Sequence, residues 1–147
     1  LAIEVKWFGL GLLDMLEAPR DLEAETLKLA LVKAAYTPDR DTQDFWNDVS
    51  GNELAEGNGY VTGGKTLAGV ATSYDSASDQ VRLDFNDVTW EFTASQKWKF
   101  AVLYIDTAGA SSTDPVIGLL SWDSEQAVST SFTLVIDAAG LLYIDTT

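Results

Sequence analysis

The sequence predicts an all-β domain, a β-sandwich or jelly-roll-like fold led by one short α-helix. Three observations point there. From Thr26 onward, apolar residues recur at every second position in short runs, the period of a half-buried strand. Clusters of Gly, Asp, Asn and Ser punctuate those runs as turns do. Only the N-terminal stretch carries a helical period. At 147 residues and 46% hydrophobic content, the chain has enough material for the core of one ordinary domain. Residues 1–147 are therefore expected to form a single domain, with 1–25 as helix and connection and 26–147 as the sandwich.

"VKWFGLGLLDMLEAP" fits a helix. At about 100° per residue, Val5, Phe8, Leu12, Met15 and Leu16 share one side, and Pro19 ends the pattern. Trp7 and Leu10 lie off that stripe beside Asp14, so either both sides are buried within the domain or these two residues meet another subunit. Leu27, Leu29 and Leu31 then alternate with Lys28, Ala30 and Val32, a strand signal carried by a residue that is not a strong strand former. "DTQDFWNDV" could hold one helical turn opened by Asp41. Beyond a glycine-rich passage, Val70, Thr72 and Tyr74 lead into the turn "DSASD". Val81, Leu83 and Phe85 leave that turn, with Arg82 and Asp84 facing the other way. Val88, Trp90 and Phe92 alternate with Thr89 and Glu91. "FAVLYI" is apolar on both faces, as a central strand covered on both sides must be. "VIGLLSW" and "SFTLVI" flank a polar segment, and "DAAG" places Asp and Gly at the first and fourth positions of a type I turn before "LLYI". The sum is roughly seven to nine short strands, the pattern of a sandwich.

Composition excludes several function classes. The formal charge of −14, from 23 acids against 9 bases, opposes a phosphate backbone, whose binding depends on Lys and Arg displacing counterions. Neither nucleic acid nor an anionic membrane is an expected partner. The chain has no cysteine and no histidine, which removes thiolate metal sites, histidine–zinc sites and the Ser-His-Asp and Cys-His nucleophile arrangements. No run approaches the roughly 20 apolar residues that cross a bilayer, so a soluble chain is expected. Because the sequence begins at Leu1 and not at Met, further residues are expected upstream, with a cleaved presequence as one alternative for them.

Four features invite a chemical reading. Asp39, Asp41, Asp44 and Asp48 cluster in "YTPDRDTQDFWNDVSGNE", yet the calcium-loop pattern fails there. Counting from Asp39, Gln43 takes the fifth position, Asp44 the sixth where the sharp turn needs Gly, and Ser50 the twelfth. Caps and solvated loop charges are the expected roles, with an irregular calcium site the alternative. A pair of carboxylates spaced for glycoside hydrolysis would arise by chance among so many acids, so that spacing carries no weight. Gly59, Gly64, Lys65 and Thr66 satisfy the phosphate-loop expression, but a polar segment precedes them and β-patterned sequence follows, so a glycine-rich bulge is expected. Among the aromatics, Trp90 and Trp122 are in phase with core positions. Trp98, between Lys97 and Lys99, and Trp46, in the acidic loop, could be core, protein-contact or sugar-stacking residues.

Taken in order, "VKWFGLGLLDML", "LKLALVKAAYTPDRDTQDFWNDV", Glu53, "GYVTGGKTL", "DVTW", "AVLYIDT" and "PVIGLL" resemble a family of small tailed-bacteriophage virion proteins, over nearly the whole chain. The resemblance implies a non-enzymatic structural component without catalytic residues, cofactor or metal. Such proteins are similar to head decoration (cement) proteins, with minor tail components of comparable size and composition. The expectation is thus a capsid decoration protein on the exterior of the virion, a homo-oligomer and specifically a trimer, with the major capsid protein as partner. An acidic exterior suits that place, since it keeps the molecule off stray nucleic acid, and cyclic symmetry multiplies weak contacts. Trp7, Leu10, Phe45, Trp46 and Trp98 are the expected contact residues. The alternative is a carbohydrate-binding sandwich at a tail tip or host surface, with Trp46 or Trp98 as its platform.

Overall fold

In the computed structural model, which describes residues 3–146, the alternating runs fold into ten strands and one α-helix among the described residues. In chain order these are β1 (Ile3–Trp7), α1 (Gly9–Glu17), β2 (Thr26–Val32), β3 (Lys65–Thr66), β4 (Ala71–Asp75), β5 (Gln80–Asp84), β6 (Val88–Glu91), β7 (Gln96–Asp106), β8 (Val116–Val128), β9 (Ser131–Leu134) and β10 (Leu142–Asp145). The domain is all-β with a short N-terminal helix, as the periodicity predicts. Every strand pairing is antiparallel. The main sheet runs β1-β8-β7-β2-β3, and two smaller sheets, β10-β5-β4 and β6-β9, complete the set.

Two clusters of buried side chains show how the layers sit. One face of the main sheet supplies Leu27, Leu29, Leu31, Leu103, Ile105 and Leu120, which pack with Leu83, Leu142, Trp90 and Leu134 from the small sheets. The opposite face supplies Ala30, Val32, Phe100, Val102 and Tyr104 and is covered by Phe8, Tyr36, Trp46 and Val49. "FAVLYI" is accordingly the centre of a sheet covered on both sides, with every one of its side chains buried. The second cover comes from the connection after β2, in which Trp46 stacks on Tyr104 at 4.5 Å and 2° and Tyr36 meets Phe100 edge-on at 5.4 Å. Apolar removal of this kind stabilises by about 1.5–3 kcal/mol per fully buried side chain.

The N-terminal stretch departs from the sequence expectation. Val5 and Trp7 belong to a strand, β1, whose residues pair with Gly118 to Trp122 of β8. Five residues of alternating exposure are too few to register against the helical stripe that follows, and the backbone hydrogen bonds of the β8 edge decide the matter. The helix therefore starts at Gly9, and the first 25 residues are no separate appendage to the sandwich. Gly11 lets α1 approach closely: a Cβ there would run into the carbonyl of Val116. Arg40 ties down the junction, its carbonyl accepting from the Gly9 amide at 3.0 Å and its guanidinium donating to the Trp7 carbonyl at 3.0 Å. The expected helical turn at Asp41 lies further along, as a 3-10 turn over Trp46–Asp48 without a side-chain cap.

Candidate docking surface

The expected contact residues separate into two groups. Trp98 is fully buried, at 4.8 Å from Phe132 and 6.2 Å from Trp122 between ring centroids. Strict alternation would put Trp98 on the same face as Phe100, but the register of β7 against β8 shifts between these two residues. The shift turns Trp98 into the sandwich core and leaves Phe100 on the opposite face. Trp46, 5% exposed, is spent on Tyr104. Neither indole can serve as a contact surface or sugar platform, which corrects the expectation for both. Flanking Lys residues and an acidic loop misled because they report on the neighbours of a side chain and not on its direction.

Trp7, Leu10 and Phe45 lie at the surface, all half-buried, around α1. A groove of about 440 Å³ separates the helix from the β10-β5-β4 sheet, with Leu12, Met15 and Leu16 on one wall, Val81 and Ile144 on the other, and Trp7 at its side. Pairing of Ile144 with Val81 and of Leu142 with Leu83 puts all four on one face, since directly opposed strand residues point the same way. Leu83 and Leu142 are buried in the core, while Val81 and Ile144 are each 42% exposed. The core face of the small sheet thus runs out past the layer that covers it. On the helix's other side a second groove of about 190 Å³ is lined by Leu10, Leu13, Phe45, Asp14, Glu17 and Asp44. Leu13 and Leu16, 46% and 80% exposed, stand on the helix between the two grooves. Leu16 is therefore not on a buried stripe, a second correction. Sequence reasoning missed this ridge, although five large apolar residues within Leu10 to Leu16 are more than one buried stripe of so short a helix can use.

The acidic cluster behaves as turn chemistry. Asp39 accepts the Asp41 amide at 3.1 Å, and hydrogen bonds from Thr42 and from that amide hold its carboxyl below the usual range. Asp48 accepts the Asp44 amide at 3.1 Å; partial burial first, and Asp48 beside it, push Asp44 upward. Among the described residues no group of three or more acids is gathered as metal ligands would be.

The glycine-rich loop has a carboxyl group of its own. Glu53, 9% exposed, accepts from the Gly63 amide at 2.6 Å and from the Tyr60 hydroxyl at 2.8 Å. The same Tyr60 oxygen accepts the Leu31 amide at 3.1 Å, and the Tyr104 hydroxyl donates to the Gly63 carbonyl at 2.7 Å. Burial pushes the Glu53 carboxyl up, against the opposing pull of these hydrogen bonds and of Lys28. Gly64 is left-handed, with φ +80°, and lies against the Leu29 backbone, where a Cβ would collide. Lys65–Thr66 continues as β3 beside β2, so no helix opens there and the phosphate-loop pattern serves to fasten a loop.

Comparison of the chain with protein-family models, with curated proteins and with solved structures finds no match. Among the described residues no helix is long and apolar enough to cross a membrane.

Proposed function

We propose that this chain is a non-enzymatic structural component of a tailed-bacteriophage particle, a decoration (cement) protein that attaches to the outer surface of the major capsid protein shell and stabilises it. The observation that carries the reading is the uncovered apolar ridge of α1, Leu13 and Leu16, with a groove on either side. Contiguous exposed apolar surface of this kind marks a place where a chain meets a partner. The ordered motifs resembling small virion proteins supply the kind of partner, and the charge of −14 suits the outside of a DNA-filled shell. A threefold arrangement of chains belongs to the same proposal, because avidity turns modest contacts into firm attachment. Quantitative mass spectrometry and antibody labelling of purified particles test it. A fixed copy number on the head is expected; absence from particles, or labelling confined to the tail, would refute it.

A further inference from the structure

The structure points to what fills the surface around α1, and the inference deepens the attachment reading on which its virion setting rests: we propose that the groove between α1 and the β10-β5-β4 sheet takes a polypeptide segment with large aliphatic or aromatic anchors flanked by Lys or Arg. The floor fixes the first half of that description. Leu12, Met15, Leu16, Val81 and Ile144 offer an apolar channel within the size range of sites that enclose apolar groups. Its helical wall continues over Leu13 into the second groove, so an extended occupant has more to cover than a small molecule would.

The rim fixes the second half. Glu17 and Asp44 line the second groove, and neither has an ion-pair partner among the described residues. Glu23, equally without a cation, lies beside the first groove, its carboxylate accepting from the amide and hydroxyl of the groove residue Thr72 at 2.7 and 2.9 Å. Of the basic groups nearby, Arg40 donates to the Trp7 carbonyl at 3.0 Å, and the others are held in ion pairs. Arg82 pairs with Asp75 at 2.8 Å, and Arg20 with Asp14 at 3.1 Å and Glu25 at 3.5 Å. What the surface lacks is positive charge, and complementary potentials favour a partner that brings it. A second copy of this chain brings the opposite: a two-fold contact would set the same acidic rim against itself. Glu23 also occupies an amide of β4, an edge strand, which blunts that edge against strand addition. Side-chain anchoring into the groove is the mode that remains.

A random dodecapeptide library selected against the immobilised full chain tests the proposal without knowledge of the natural partner. Recovered peptides are expected to combine Leu, Ile, Phe or Trp with an excess of Lys and Arg. Leu16→Glu changes a side chain that is 80% exposed, so the fold survives, and it should weaken binding of those peptides by about tenfold or more, as loss of an interface anchor does. Glu17→Lys should weaken them several-fold at low salt, and the difference should fade as salt screens the rim. Peptides that are neutral or acidic, or that bind Leu16→Glu equally well, would overturn the proposal. Sedimentation showing self-association that Leu16→Glu abolishes would overturn it too, in favour of a second copy. The peptide results judge the groove alone; the presence of the chain on particles judges the virion reading alone.

Discussion

Removal of one oxygen atom at Tyr60 should loosen the whole glycine-rich loop. In Tyr60→Phe the ring keeps its buried place, but the Leu31 amide, in β2 of the main sheet, loses its acceptor, and Glu53 loses a donor at 2.8 Å. A buried polar group left without its partner costs about 1–3 kcal/mol. Glu53 retains the Gly63 amide, so its share falls at the lower end, and the two losses together amount to about 2–4 kcal/mol. For a chain of this length that corresponds to a fall in Tm of roughly 4–16 °C. Urea unfolding followed by far-ultraviolet circular dichroism and by tryptophan fluorescence gives the free energy, with an unchanged slope confirming that the native state is otherwise intact. A loss below about 0.5 kcal/mol, the range of ordinary surface substitutions, would refute the claim that this hydroxyl joins the loop to the sheet.

Two further outcomes follow from the same packing. Glu53 is raised by burial from its ordinary 4.5, so the folded chain holds that proton above the pH at which the unfolded chain releases it, and the stability tied to the protonated form is lost as pH rises through the folded value. Glu53→Gln cannot ionise, so the stability of the wild type minus that of the variant should decline as pH rises above the ordinary carboxyl value of 4.5, measured by urea unfolding at each pH. The lowered acids Glu23, Asp39, Asp75 and Asp106 act in both proteins and cancel; a difference that stays flat or grows would count against the assignment. Trp98→Ala should destabilise by about 3–5 kcal/mol through the void left beside Trp122 and Phe132, and thermal unfolding within about 1 kcal/mol of wild type would show that the ring is no part of the core.

Alternation along the chain was enough to give the fold class, because a strand with one face buried must repeat every second residue whatever it pairs with. It also gave the double cover of "FAVLYI" and the core roles of Trp90 and Trp122, since apolar residues on both faces demand two layers. Three things were settled only by contacts distant in sequence. The strand nature of Ile3–Trp7 comes from the free edge of β8, more than 110 residues away. The inward turn of Trp98 comes from a register shift against a partner strand, which local pattern cannot encode. Leu16 and Val81 each carry the period of a core position, yet exposure of both depends on where the opposing layer stops. Amino-acid order dictates which side chains share a face, and tertiary packing dictates how far along that face the cover extends; the exposed ridge of α1 lies in the gap between the two.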